Sequence, residues 1–300
     1  MYSNFNILGR PLLCISLILI SFIVCQSDLS PAQFKEPFQL LKLDKNYYPN
    51  KNNNTNIVLD GKLDELYWSE INFINDFHQA EPINNGMPTK NTEVRMFYDD
   101  QYLYFGVTLY DNPDKIVGKF SQYDDWYEGF DTNSDYFVIE IDSYHDHQTG
   151  YGFAINSRGV KADYKISNDD PEFIDDDWNQ RWDAEVSKSN EGWFIECRIP
   201  FRILKYKDSK DMGLNFIRYI QRNNEYISWV VLPRELDGVV SQYGHLRNLD
   251  ISSNKYFSLK PYFIYGKTKF NNLYYKNDWI VSDNLFMINK IIPTPVHDYW

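Results

Sequence analysis

The sequence predicts an all-β chain, an antiparallel β-sandwich of the immunoglobulin or jelly-roll kind with one or two short helices. Three observations carry this prediction. Aromatic residues make up 17% of the 300 positions, and aromatics favour the pleated, half-buried surface of a sheet. Apolar and polar residues alternate in short runs, which is the period of a strand and not of a helix. Turn residues separate those runs at the intervals typical of a sandwich or barrel.

A short helix is expected over 63–68, entered from Asp60 and Gly61. Val94, Met96 and Tyr98 then alternate with Arg95 and Phe97. Asp99 and Asp100 interrupt the pattern, and Leu103, Phe105, Val107 and Leu109 resume it, which makes a hairpin. Further strands are expected over 136–141, 152–156, 160–166, 182–186, 193–199, 214–222 and 226–232. Ser189 to Gly192 forms a second hairpin turn, and a helical turn follows Pro200. Trp68, Trp193 and Trp229 fall on apolar phases and belong to the core, as does Cys197 in the alternating segment Trp193, Ile195, Cys197, Ile199. Two facing sheets share one core, so a single domain over 55–252 accounts for the pattern.

Upstream, Arg10 precedes an uncharged apolar run over 11–25 that has the length of a signal-peptide core. Residues 1–27 read as an export signal cleaved after Ser27. Lipid attachment at Cys25 and an uncleaved anchor stand as alternatives. Removal of 1–27 leaves Cys197 as the sole cysteine, so no intramolecular disulfide forms. Residues 28–54, broken by Pro31, Pro37 and Pro49, read as a linker. Residues 253–300 read as a tail or as the truncated start of a second domain.

The formal charge of −12 repels a phosphate backbone and excludes nucleic acid as a partner. No nucleophile elbow, phosphate loop or zinc-protease helix occurs in the sequence. Glu140 and Asp142 share a strand face, but nothing around them in sequence argues for the tuned carboxyl pair of a glycosidase. The chain is therefore read as a non-enzyme. His145 and His147 flank Asp146 in SYHDHQTG and read as exposed turn residues, with a transition-metal pair as the alternative.

Five segments occur in a fixed order: IVLDGKLDELYW (57–68), EVRMFYDDQYLYFG (93–106), DYFVIEID (135–142), GWFIECRIPF (192–201) and YGHLR (243–247). Together they resemble the family 9 carbohydrate-binding modules over about 55–250. That resemblance implies a sandwich that binds sugars without cleaving them, is often attached to xylan-degrading glycoside hydrolases, and often holds structural calcium. Residues 76–88 and 241–265 are similar to the amino-terminal module of large exported bacterial proteins in which an outer-membrane β-barrel follows. The remaining residues, 253–300, are too few for an eight-stranded barrel, which needs eight segments of about ten residues plus turns. The chain thus reads as a truncated or fragmentary member. The expected location is the periplasm, outer membrane or surface of a bacterium, with membrane association through the missing barrel or a lipidated Cys25.

The expected partner is a polysaccharide or oligosaccharide. Alignment with family members that grip a sugar between two tryptophans puts Thr132 and Asp237 at those positions, and Val138, Ala154 and Ile217 where those members carry polar groups. A relocated platform is expected instead from Trp126 and Tyr127 in DDWYEGFD and from Trp178 and Trp182 in DDDWNQRW. Both loops combine flat aromatic faces with polar groups, as a hydroxyl-rich ligand requires. The alternative is that these rings cap the sheet ends. Asp124, Asp125, Asp131 and Asp135 lie close together in sequence and supply oxygens for a calcium ion, against the alternative of a solvated acidic surface. The expected function is non-catalytic sugar binding associated with xylan-type breakdown. The alternative is an interaction domain of an outer-membrane protein that kept the sandwich and lost the sugar site.

Overall fold

The computed structural model describes residues 45–54, 57–206, 210–232 and 238–251, and the backbone of two short strands beyond them. The export segment, Cys25, most of the expected linker, Asp237 and most of the tail lie outside the described residues.

Strands β1 (Asn46–Tyr47) and β2 (Asn50–Lys51) open the domain, followed by helix α1 (Leu66–Glu70), β3 (Phe73–Ile74) and β4 (His78–Glu81). The long hairpin β5 (Thr92–Tyr98) and β6 (Tyr102–Tyr110) comes next, then the single-turn helix α2 (Trp126–Gly129). Strands β7 (Tyr136–Asp142), β8 (Gly150–Asn156), β9 (Lys161–Ser167) and β10 (Asp170–Asp175) form a meander. The hairpin β11 (Asp183–Ser189) and β12 (Gly192–Pro200) precedes β13 (Met212–Ile220), β14 (Glu225–Ser228) and β15 (Gly244–Leu246). Beyond these, β16 (Tyr265–Thr268) pairs antiparallel with β17 (Leu285–Ile288).

Two sheets result. The larger, with nine strands among the described residues, runs β1-β15-β13-β7-β8-β9-β10, with β14 and then β4 added beside β13. The smaller, with six, runs β11-β12-β6-β5-β2, with β3 beside β5. Every long strand pairs antiparallel, which permits the short connections and the clean alternation of faces read from the sequence. Between the sheets lies one core that includes Val94, Phe105, Val107, Ile139, Phe153, Ile195 and Phe216. Trp193, Cys197 and Trp229 are buried in it, as expected. Burial pushes the Cys197 thiol far up, so it is an inert filler.

The structure corrects the sequence reading in three places. Residues 46–51 are not linker: β1 adds in parallel to β15, and β2 adds in parallel to β5. Two-residue strands leave no periodic signal to read. Residues 170–175, outside every strand expected from the sequence, form β10, an edge strand whose exposed charges suit an unpaired sheet edge. The strand expected over 226–232 ends at Ser228, because the side-chain Oδ1 of Asn215 accepts the Val230 N–H at 2.9 Å and takes the chain out of the ladder.

Outside each sheet lies a second, smaller cluster. On the six-stranded sheet, segment 57–71 straps across Phe97 and Tyr104 and buries Trp68. Gly106 makes room for the indole: a Cβ there would meet Trp68 and Leu63 at 2.8–3.0 Å. The buried carboxylate of Glu196 accepts hydrogen bonds from Trp68 Nε1 and from the backbone N–H groups of Asp60 and Gly61. The DGKLDELYW segment is thereby fixed to the sheet.

Candidate functional site

Among the described residues, no strap covers the outward residues of the nine-stranded sheet. Alternation turns Phe137, Ile139 and Phe216 into the core, and therefore Val138, Glu140, Asn215 and Ile217 outward. Opposite Glu140 on β8 stands Gly152, and the ring of Tyr164 from β9 lies flat over it; a Cβ at Gly152 would stand 2.1 Å from the ring. This close approach brings the Tyr164 hydroxyl to Glu140 Oε1 at 2.7 Å, while Asn215 Nδ2 donates to Oε2 at 3.3 Å. Burial pushes the Glu140 carboxyl above its ordinary value, against the opposing pull of these hydrogen bonds. Burial likewise pushes the Tyr164 phenol far up, assisted by the adjacent carboxylate.

Helix α2 supplies one wall. Asp125 caps it by accepting the Glu128 N–H at 3.0 Å. Trp126 then packs on Phe130 at 4.9 Å between ring centres and edge-on to Tyr164 at 5.5 Å. Its indole nitrogen is buried and has no hydrogen-bond partner among the described residues. The opposite wall is Tyr226 of β14, which packs at 4.6 Å against Tyr219. Between the walls runs a groove of about 310 Å³, floored by Val138 and Ile217 and rimmed by Ile174 and Asp176. Past Ile217 and Tyr226 it continues into a hollow of about 420 Å³ that adds Glu81, Asn84, Asn215 and Ser228. Aromatic and aliphatic surface thus fills one end, and amide, hydroxyl and carboxyl groups the other.

A hollow of about 530 Å³ lies elsewhere, between β1 and β3. Its buried aromatic, Trp229, is already committed, with the indole N–H donated to Asp76 at 2.9 Å and Lys45 seated over the ring.

Of the four aromatics expected to form a platform, Trp126 alone lines the groove. Tyr127 is on the same helical turn and is 74% exposed. Trp178 lies on the other face of the sheet, 4.7 Å from Tyr151 and 5.9 Å from Phe153, both core residues. Trp182 is buried and donates its indole N–H to Asp163 at 2.8 Å. The common platform of Trp126 and Trp178 is therefore corrected: Tyr151 and Phe153 point inward where Gly152 and Ala154 point outward, so the two tryptophans sit on opposite faces. Tyr136, Tyr164, Tyr226 and Asn215 are the groove residues that sequence reading did not single out. Strict alternation through 136, 138 and 140 was the available signal, since it places an aromatic and a carboxylate on the face turned away from the core.

The expected calcium ligands do not converge. Asp124 accepts from Asp163 N and Asn179 Nδ2, Asp125 caps α2, and Asp135 is buried, accepting from Val117 N and Gln221 N. Asp131 occupies a left-handed turn position. These four residues do not fit a calcium ion, and no three acidic side chains among the described residues surround a common point.

Residues 59–231 match the family model described as carbohydrate family 9 binding domain-like. The chain belongs to this family. A search of curated proteins returns no match. Among solved structures, the family 9 module of Caldicellulosiruptor kristjanssonii in complex with cellotriose is 15% identical, with a TM-score of 0.48, over 72% of this chain and 100% of that one. The complex of such a module with glucose gives 15%, 0.49, 71% and 99%. A candidate carbohydrate-binding protein from Bacteroides uniformis ATCC 8492 is 14% identical, with a TM-score of 0.50, over 68% of this chain and 98% of its own. This last likeness establishes the shared sandwich. Membership places the chain in a family of carbohydrate-binding modules.

Proposed function

We propose that this family 9 domain binds a glycan in the groove on the outer face of its nine-stranded sheet, with no catalytic step. The observation that carries the reading is the grouping of Trp126, Tyr136, Tyr164 and Tyr226 around one groove that ends at Asn215, Ser228, Asn84 and Glu81. Pyranose rings stack their C–H faces on aromatic surfaces, and their hydroxyls require amide, hydroxyl or carboxyl partners nearby. Export through residues 1–27 would bring the groove to extracellular polysaccharide of the xylan type. The test is binding of the full chain to soluble and insoluble glycans, beginning with xylo- and cello-oligosaccharides. Trp126→Ala and Tyr226→Ala are expected to weaken binding about tenfold or more, corresponding to about 1.4 kcal/mol, and Trp178→Ala to leave it unchanged. Equal binding by all variants would place the sugar elsewhere.

One observation favours a second reading. Val138 and Ile217 make the groove floor apolar, so an interaction domain that has exchanged sugar for an apolar peptide segment would use the same surface. A folded chain that binds no glycan in the panel would select it.

A further inference from the structure

Away from the groove, aromatic surface is repeatedly occupied by a cation of the chain itself. Lys45 Nζ stands 5.7 Å from the ring centre of Trp229, the Arg95 guanidinium 4.9 Å from Phe73, and that of Arg158 5.5 Å from Phe120. Lys161 is shared between Tyr123 at 5.9 Å and Trp182 at 5.1 Å, and Arg198 lies 4.9 Å from Tyr102. A cation in this position is attracted by the negative face of the π system. The groove differs. Its rings, Trp126, Tyr136, Tyr164 and Tyr226, gather from four separate elements, yet among the described residues no Lys or Arg lies over any of them or lines either part of the groove.

The charged groups that do line it are carboxylates, and the sheet register puts them there. On β10, Ile174 pairs with Ile166, which belongs to the same outer cluster as Tyr164; two residues on, Asp176 leaves the chain on that side and rims the aromatic end. On β4, Glu81 pairs with Tyr226 of β14, so both side chains leave one face, and Glu81 stands at the polar end. Both carboxylates are exposed, and neither forms an ion pair among the described residues. Between them, Tyr164 lies flat over Gly152 and turns its other face away from the sheet, Trp126 is inclined to it at 63°, and the Tyr136 and Tyr226 hydroxyls meet at 3.5 Å.

We propose that the groove selects glycans whose sugars carry protonated amino groups, of the glucosamine type, over neutral sugars and over uronic acids. The inference rests on the reading of the groove as a glycan site and names the sugar chemistry that site prefers. An oligosaccharide of glucosamine has the ring shape of an equally linked glucose chain, with one ammonium group in place of one hydroxyl on each ring. Its C–H faces lie on the aromatic walls and on the apolar floor of Val138 and Ile217, as those of a neutral sugar would.

The ammonium groups supply the selectivity. Each finds a ring face together with a carboxylate, Asp176 at one end and Glu81 at the other, so the attraction of a cation to an aromatic face and that of an ion pair act at one place. A uronic acid meets the same two carboxylates as like charges and is disfavoured. The formal charge of −12 acts in the same direction over longer range, drawing a cationic polymer toward the domain and repelling an anionic one. Because both carboxylates are exposed, the selectivity is screened by salt.

The test is calorimetric titration of the full chain with oligosaccharides of equal length and linkage built from glucosamine, N-acetylglucosamine or glucose, and with an oligogalacturonate. At low salt the glucosamine chain is expected to bind about fivefold or more tighter than the glucose chain, and the oligogalacturonate weakest. Acetylation cancels the charge and is expected to cancel the advantage, as is high salt. Asp176→Asn and Glu81→Gln change exposed side chains without ion pairs, so the fold is kept. Each is expected to weaken glucosamine binding more than glucose binding, lowering their ratio about twofold or more. Glu70→Gln, at an exposed carboxylate of α1 beside the other sheet, is expected to leave the ratio unchanged. Equal binding of the glucosamine and glucose chains would overturn the selectivity and leave the glycan reading standing. So would an advantage that survives acetylation or both groove substitutions, or one that falls equally in Glu70→Gln, which would mark a diffuse attraction to the acidic surface. Binding of none of the oligosaccharides by the folded chain would overturn the glycan reading itself.

Discussion

The two outer faces of the sandwich repeat one arrangement and finish it differently. On the six-stranded sheet, Glu196 stands opposite Gly106 and the ring of Trp68 lies over the glycine. On the nine-stranded sheet, Glu140 stands opposite Gly152 and the ring of Tyr164 lies over the glycine. Each glycine gives an aromatic ring access to the sheet, and each ring donates a hydrogen bond to the buried carboxylate. The difference is the origin of the aromatic. Trp68 arrives on a strap from outside the sheet, so the carboxylate fastens a lid and the face is closed. Tyr164 belongs to the sheet itself, so the carboxylate is satisfied within it and the face stays open as a groove. A closed face contributes stability; an open aromatic face is available to a ligand.

The largest expected effect follows from the lid. Trp68→Ala removes a fully buried indole and leaves Glu196 short of one of its three donors, and is expected to cost about 3–5 kcal/mol in denaturant unfolding. Trp126→Ala, on a half-buried ring at the groove, is expected to cost about 1–2 kcal/mol while weakening glycan binding about tenfold or more. Equal costs at the two positions would break the comparison.

A sharper test uses the glycines. Gly106→Ala and Gly152→Ala both overpack, at a typical cost of about 1–3 kcal/mol. Behind Trp68 the strap blocks relaxation, so Gly106→Ala is expected at the upper end. Tyr164 borders open space and can swing outward, so Gly152→Ala is expected at the lower end, with its effect appearing as lost glycan binding. Parallel unfolding and binding measurements on the two variants separate these outcomes.

How much of this was legible in sequence depends on the range over which each feature is determined. The β5–β6 and β11–β12 hairpins, the buried Trp193 and the inert Cys197 follow from period-two alternation, which a sequence displays directly. Strands β1 to β4 are two to four residues long and owe their existence to the neighbour they pair with. The groove was missed for a related reason. Alignment placed Val138 and Ile217 where sugar-binding members carry polar groups, and their apolar character argued against a site there; yet the inner face is filled by Phe137, Ile139 and Phe216, so their alternation partners face outward and floor a groove. Trp178 failed in the opposite sense: its acidic neighbours suggested exposure, but they sit in the chain turn and the ring folds back onto Tyr151 and Phe153. Local composition reports the backbone environment, whereas the side a single ring takes is decided by the sheet beside it.

The smallest expected effect concerns pH. Burial pushes the Glu196 carboxyl from 4.5 up to about 6, against the opposing hydrogen bonds from Asp60, Trp68 and Gly61. The unfolded chain releases this proton near 4.5, while the folded chain holds it until about 6. Between those values the folded state carries more protons, so raising the pH favours unfolding and stability falls across that window. Glu140 is raised for the same reason and contributes with the same sign. Glu196→Gln, which keeps the shape without the titrating proton, is expected to reduce the fall between about pH 4 and 6 by about 1 kcal/mol. Glu140→Gln is expected to flatten the same slope, and in addition to disturb Tyr164 and hence glycan binding, which Glu196→Gln leaves intact. Unfolding curves at several pH values, read beside glycan binding of the same two proteins, test whether a carboxylate under a lid and a carboxylate under a groove differ in function while obeying the same electrostatics.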